Sequence, residues 1–344
     1  MQPIKKVFIA GGTGLLGYHA ALKFLQWNVE VDTIALKNEI EISSWFDKKI
    51  NLIFGNLFEM SEEEIYAILK DKDYDCFIYA LGPDDRYIPK APAYEFFYNR
   101  LVLQCLKIIK AAKKAKIKRC VILGSYFATY DKIMKGKLSK HHPYIKARIK
   151  QEEAIFALKD DKNFSVMVLE LPYIFGTMPQ RKPLWRDSFL KYYDNMKSVI
   201  LPKNGGTALI SVEGVAESIV ACSFFGKNGQ CYPVAKENWP FKVLIPTLLQ
   251  YAKDNRKYKE IPAFLTAIGA KFIDRRFKKQ GLESGLNHAK LMTQIQCKKF
   301  YIQGKQTMKE LNFDYFHFQG GKGLEKSIAE TMKACYPERF ENVT

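Results

Sequence analysis

The chain has 344 residues, 47% of them hydrophobic and 26% charged, with a formal net charge of +18. Such a length supports a sizeable buried core in one large α/β domain, or a domain with a smaller lobe. No apolar run approaches the roughly 18 residues of a membrane span, and Met1–Lys6 leads straight into a short apolar strand, so neither a membrane segment nor a signal peptide is expected.

Strand signals, short apolar or β-branched runs, fall at residues 5–10, 29–36, 51–54, 75–81 and 119–125. Helix signals lie between them. Residues 15–25 are amphipathic. Ser61 and Glu64 form a capping box ahead of Ile65, Ile68 and Leu69. Residues 94–116 set Phe97, Leu101, Leu106 and Ile109 near helical spacing. Pro143 opens a helix to residue 158 that carries Tyr144, Ala147, Arg148 and Ile155. A sixth strand, 164–171, is closed by Pro172. This alternation predicts an α/β fold with a Rossmann-type doubly wound parallel sheet.

After Gly176 the pattern changes. Pro179, Pro183 and Pro202 punctuate shorter elements: strands at 207–212 and 230–234, helices at 215–225, 240–253 and 264–279, and a mainly helical tail from His288. The helix at 264–279 opposes Phe264, Leu265, Ile268, Phe272 and Phe277 to Lys271, Arg275, Arg276, Lys278 and Lys279. Such a helix can lie on a membrane, but its apolar face is expected to be core, and no membrane partner is expected. The seven cysteines are scattered without a Cys-x-x-Cys pair and read as small buried hydrophobes of a cytoplasmic protein. His141 and His142 read as loop residues, and no metal site is expected. The lysines lie along helix faces, as at Lys107, Lys110, Lys113 and Lys114. They read as solvated surface, without the aromatic-basic pattern of an RNA-binding module.

Residues 11–17 read Gly11-Gly12-Thr13-Gly14-Leu15-Leu16-Gly17 between the first strand and the first helix. One glycine permits the tight turn, the next lets backbone N–H groups approach a pyrophosphate, and the last lets the helix pack close to the sheet. The helix N-terminus adds partial positive charge. In this context the loop predicts an NAD(H) or NADP(H) site. A dinucleotide domain is expected over 1–176, with a smaller, mixed but mainly helical substrate lobe over 177–344 interleaved with it. An NAD site usually ends its second strand on Asp or Glu. Here the strand ends Ile34-Ala35-Leu36-Lys37, with Glu30 and Asp32 too early, and Lys37 favours a 2′-phosphate and hence NADP.

Over roughly residues 4 to 235 the chain resembles the extended short-chain dehydrogenase/reductase family, in its NAD-dependent epimerase/dehydratase group. Residues 11–17 resemble its nucleotide loop. Gly55-Asn56-Leu57 resembles the family's Gly-Asp-Leu, with Asn56 for the adenine-contacting Asp. Ala80, Leu81 and Gly82 occupy the place where the fourth strand passes the cofactor, and Asn99 matches an Asn of the next helix. Pro172 and Ile174 lie in the segment that borders nicotinamide and substrate, although Glu170-Leu171 replaces the usual Arg. Val212-Glu213-Gly214-Val215-Ala216 resembles a stretch opening a later helix.

The resemblance implies catalysis by Tyr144, Arg148 and Ser125. The Tyr-x-x-x-Lys signature reads Tyr144-Ile145-Lys146-Ala147-Arg148, so Arg148 replaces Lys. A cation one turn from a phenol favours the phenolate, although Arg does not readily shuttle protons. Ser125 is the best match to the hydroxyl partner, with Tyr126 and Thr129 as competing registers. Arg181, Trp185 and Arg186 are expected to meet an anionic substrate such as a nucleotide-sugar. The implied activity is that of an oxidoreductase or isomerase, an epimerase or carbonyl reductase. Dehydratase chemistry is disfavoured, since Tyr126-Phe127-Ala128 offers no acid. A non-catalytic dinucleotide sensor is the main alternative and RNA binding a lesser one. The helices at 94–116 and 143–158 are the family's usual dimer faces, so a homodimer is expected.

Overall fold

The computed structural model describes residues 3–37 and 44–340. The chain opens with β1 (Lys6–Ala10), α1 (Leu15–Gln26), β2 (Glu30–Ala35), β3 (Asn51–Phe54), α2 (Glu62–Leu69) and β4 (Cys76–Tyr79). Next come α3 (Ala93–Phe97) and α4 (Gln104–Lys114), joined by a π-helical segment at Tyr98–Leu103, then β5 (Arg119–Ser125), α5 (Phe127–Ile133), α6 (Pro143–Phe156) and β6 (Ser165–Leu171). The remainder comprises β7 (Tyr173–Phe175), α7 (Trp185–Ser188), β8 (Ser198–Pro202), β9 (Gly206–Ser211), α8 (Val212–Phe225), β10 (Cys231–Pro233), β11 (Glu237–Pro240), α9 (Phe241–Tyr251), β12 (Lys257–Ile261), α10 (Ala263–Lys279), α11 (His288–Lys290), β13 (Lys299–Phe300), α12 (Gly304–Glu310) and α13 (Leu324–Cys335).

Seven strands form one sheet in the order β10-β6-β5-β4-β1-β2-β3. Every neighbouring pair is parallel. The strands are apolar at nearly every position because helices cover both faces. Successive side chains alternate between those faces. Val7, Ile9, Ile78, Val121 and Leu169 meet Ala20 and Phe24 of α1 and Ile219 of α8. Phe8, Phe77, Ile122 and Val168 meet Ile65 of α2, Ile108 of α4 and Ile155 of α6. The capping box forms at Ser61 and Glu64 as expected, with each donor satisfied by the other residue's side chain.

The second half does not stand apart. α8 packs beside α1, and β10 adds an edge strand to the main sheet, so the chain returns to the first core beyond residue 176. Arg119 fastens this return by donating to the carbonyls of Ser223 and Gly226, both at 2.6 Å, at the C-terminal end of α8. The lobe proper is a small sheet, β11-β9-β13 with β7 also on β9, plus the pair β12-β8. α9 and α13 supply its core.

One expectation is overturned. In α10 only Ala267 and Ala270 are buried, while Phe264, Leu265, Ile268 and Phe272 are exposed. The helix packs through its small side chains, against Ala289 and Met292, and leaves these four large apolar ones outside, while Phe277 is half-buried beside the His288 ring.

Candidate active site

In a doubly wound sheet the crevice opens at the C-terminal strand ends where the order reverses, here beside β1 and β4. Gly11 follows β1 with φ +93°, and its N–H donates to Ile34 O at 3.2 Å. A Cβ at Gly12 would stand 2.2 Å from Thr33 Oγ1, and one at Gly17 would stand 2.2 Å from Gly11 O. Glycine is therefore obligatory at both positions. Gly14 caps α1 without a side-chain acceptor, and the first turn carries no acidic residue. The terminal N–H groups and the positive helix end are left to an anion.

A cleft of about 260 Å³ lies over this loop. Gly11, Thr13, Gly14, Asn56, Leu57, Ala80, Leu81 and Gly82, all expected there, line it together with Ile34, Ala35 and Leu36. Asn56 accepts from Phe58 N–H at 3.1 Å, which fixes the loop after β3. The uncapped helix end at the floor of this cleft fits the pyrophosphate of a dinucleotide. Leu36 is exposed at the end of β2, and Lys37 is exposed beside it. Asp32 is engaged elsewhere: it accepts from the Tyr74 hydroxyl at 2.6 Å and lies 3.7 Å from the Lys6 ammonium.

Arg181, expected on the substrate side, lines this same cleft. A tight turn, with Gln180 at φ +59° and a bridge between Met178 and Arg181, folds it back over the glycine loop. Trp185 stacks on Phe175 at 4.3 Å and donates its indole N–H to Ile174 O at 2.9 Å, so it packs the lobe. Arg186 pairs with Glu338 at 2.8 Å and lies over Tyr336, in a different concavity lined by Lys182, Asp187, Lys191 and Asp194. Asn99 lies on the π-helical segment with an exposed side chain, Leu15 is half-buried at the start of α1, and Pro172 and Ile174 carry the chain from the main sheet to the small one. None of these last four lines the cleft.

At the end of β5 the structure joins two of the three catalytic candidates. Tyr144 and Arg148 are both buried on α6. Arg148 Nε donates to the Tyr144 hydroxyl at 2.9 Å, and its Nη1 donates to Leu123 O at 3.1 Å and to Gln151 Oε1 at 2.8 Å. The start of α6 is pinned by Tyr144 N–H donating to Gly285 O at 3.0 Å. Ser125 ends β5, buried, with its hydroxyl accepting from Phe127 N–H at 3.4 Å. The competing registers are engaged elsewhere. The Tyr126 and Thr207 hydroxyls share a hydrogen bond at 2.8 Å, and Thr129 donates to Glu170.

The electrostatics correct one expectation. Arg148 does pull the Tyr144 phenol down, but burial outweighs it and the Asp85 carboxylate adds to the rise, leaving the phenol above its ordinary value. Asp85 was not foreseen. It follows Gly82 in the loop after β4, and its charge acts on Tyr144, Tyr126 and Tyr173. Burial and neighbouring Asp84 push Asp85 up to about 6, against Arg86 and Arg148. The run Asp84-Asp85-Arg86 directly after the cofactor-passing segment was the available signal.

His142 is buried, accepts from Asn287 N–H at 3.2 Å, and is pushed down to about 4 by burial and neighbouring His141, so it serves as a neutral structural acceptor. Among the described residues, one group of three ligand-type side chains converges, Glu152, Glu170 and Cys231. The Lys132 ammonium already stands there, 2.5 Å from Glu152 and 3.8 Å from Glu170.

A family model described as the NAD dependent epimerase/dehydratase family matches residues 7–217. A search of curated proteins returns no match. Among solved structures, UDP-glucose 4-epimerase from Bifidobacterium longum, in complex with NAD+ and UDP, is similar at 13% identity and a TM-score of 0.65, over 97% of this chain and 98% of that one. UDP-N-acetylglucosamine 4-epimerase from Methanobrevibacter ruminantium is similar at 16% identity and a TM-score of 0.64, over 98% of this chain and 100% of that one. A nucleoside-diphosphate-sugar epimerase from Pseudomonas aeruginosa is similar at 14% identity and a TM-score of 0.68, over 97% and 98% respectively. At these identities the structural likeness establishes the fold.

Proposed function

Because the chain belongs to the NAD dependent epimerase/dehydratase family, we propose that it acts at a hydroxyl-bearing carbon of a nucleotide-sugar or similar anionic substrate, as an epimerase, with Tyr144 moving the proton. The observation that carries this reading is the buried hydrogen bond from Arg148 Nε to the Tyr144 hydroxyl. A bound nicotinamide supplies the hydride acceptor. Tyr144 accepts the substrate hydroxyl proton as the carbon is oxidised and returns it when the carbonyl is reduced. Arg148, fixed by Leu123 O and Gln151, stabilises the phenolate that stands before oxidation and is restored when the proton is returned, without giving up a proton of its own. Ser125 polarises the substrate oxygen. Arg181 meets a cofactor phosphate rather than the substrate, because it shares the cleft with Gly11 and Gly14.

Leu36 and Lys37 in place of a ribose-binding acid support NADP over NAD. Comparative titration decides this, and markedly tighter NAD+ would reverse it. The test of function is incubation of the purified chain with each dinucleotide and a panel of nucleoside-diphosphate sugars, read by NMR for epimer formation. Tyr144→Phe should lose turnover while keeping dinucleotide affinity; full activity in that variant would remove Tyr144 from the chemistry.

The second reading is a non-catalytic dinucleotide-binding protein on the same fold. The raised Tyr144 and the Arg at position 148 favour it. It predicts dinucleotide affinity with no turnover of any sugar in the panel and no effect of Tyr144→Phe.

A further inference from the structure

We propose that α10 docks this protein on an anionic lipid surface. The helix packs on the lobe by its small side, where Ala267 and Ala270 are buried against Ala289 and Met292. On the opposite side Phe264, Leu265, Ile268 and Phe272 are 64%, 44%, 52% and 63% exposed. Their spacing stacks them on one helical face. Isolated exposed apolar residues are ordinary, but four large ones on one face of a single helix form an unpartnered apolar surface.

The charges around this surface say what covers it. Lys271, Arg275, Arg276, Lys278 and Lys279 are all exposed on the same helix. Among the described residues none of the five forms a salt bridge. Asp274, the one carboxylate of α10, turns inward, accepting from His288 N–H and Ala289 N–H at 3.1 Å each and lying 2.8 Å from His288 Nδ1. The outward face is thus apolar and purely cationic. A second copy would bring two such cationic faces together in a chain already at +18, which like-charge repulsion opposes. An anionic bilayer suits both features: the rings and aliphatic chains enter the interface and the cations meet lipid phosphates. No helix among the described residues is long and apolar enough to cross a membrane, so the contact is with its surface. The segment after α10 leads directly to the candidate active site, where Gly285 O accepts from Tyr144 N–H.

Co-flotation of the full chain with vesicles tests this. Phosphatidylcholine mixed with phosphatidylglycerol should recruit the protein, phosphatidylcholine alone should recruit far less, and raised salt should release it. Phe264→Ser with Phe272→Ser should lower affinity for the anionic vesicles by about tenfold or more. Replacing Lys271, Arg275 and Lys278 by Gln should weaken the preference for anionic lipid while the melting temperature and dinucleotide affinity stay at their wild-type values. No flotation with anionic vesicles at low salt, or equal flotation of the double Ser variant, would overturn the proposal. Concentration-dependent dimerisation abolished by the double Ser variant, without vesicle binding, would also overturn it in favour of self-association.

Discussion

Arg148 Nε donates to the Tyr144 hydroxyl at 2.9 Å across one turn of α6, so the cation that favours the phenolate is fixed within the same helix as the phenol. Removing it has a defined sign. Arg148 holds the Tyr144 value down against burial and Asp85, so Arg148→Ala raises it further. For substrate oxidation, which needs the phenolate as base, the acid limb of the pH–rate profile then moves to higher pH, with about tenfold loss of rate below the midpoint for each unit moved. Arg148→Lys keeps the charge and recovers part of the loss. Stopped-flow reduction of the dinucleotide across pH measures both. An unmoved limb in Arg148→Ala would separate Arg148 from Tyr144 chemistry.

Asp85 acts on Tyr144 in the opposite direction. Asp85→Asn removes a carboxylate that disfavours the phenolate, so the same acid limb moves to lower pH. A shift to higher pH would show that Asp85 supports the reaction by another route, such as proton transfer.

Gly17→Ala tests the close packing of loop and helix. The new Cβ would meet Gly11 O at 2.2 Å, backbone that cannot swing aside. The expected outcome is a fall in stability of roughly 1–3 kcal/mol by urea unfolding, together with loss of dinucleotide binding as the loop is displaced. Wild-type affinity in this variant would mean that the loop does not seat the pyrophosphate.

Arg181 and Arg186 lie five residues apart in sequence yet line different concavities. Arg181→Ala should weaken dinucleotide affinity by about tenfold and reduce its salt dependence, as expected for one lost charge-assisted phosphate contact. Arg186→Ala should leave dinucleotide affinity unchanged. Calorimetric titration at two ionic strengths distinguishes them, and equal effects of the two changes would contradict the placement of Arg181.

The βαβ frame was legible because a parallel sheet covered on both faces writes itself as separate apolar runs, and because Gly11 to Gly17 and the Ser61–Glu64 box are local chemistry. What depended on long-range packing was not. Periodicity showed α10 to be amphipathic, but it could not reveal that Ala267 and Ala270, rather than Phe264 and Phe272, would meet the lobe. That Arg181 lines the cleft over the glycine loop was not legible either, because the turn at Gln180 that folds it there is a matter of three-dimensional path. Asp85 sits in a loop, where no periodic signal marks a side chain as facing Tyr144. Glu170 was visible only as a departure from the expected Arg, and its partners come from α5, α6 and β10.

That buried group yields a stability prediction. Folded Glu170 is pushed from 4.5 up to about 8, chiefly by burial and then by the Glu152 carboxylate, against Thr129 and Lys132. The folded chain therefore binds this proton through a pH window in which the unfolded chain has released it. Stability is fullest below that window and declines as pH rises towards 8. Glu170→Gln should stabilise the protein at pH 8 by on the order of 1 kcal/mol and flatten the decline between pH 5 and pH 8. Thermal melts across pH read both. An unchanged slope would show that Glu170 carries its charge without penalty.

Titration of the purified wild-type chain with NAD+ and NADP+, followed by tryptophan fluorescence, bears most directly on the cleft over Gly11, Gly14 and Arg181. The predicted result is saturable binding of one dinucleotide per chain, lost in Gly17→Ala and weakened in Arg181→Ala. No saturable binding of either dinucleotide by the wild-type chain would contradict it, and with it the catalytic reading of Tyr144 and Arg148.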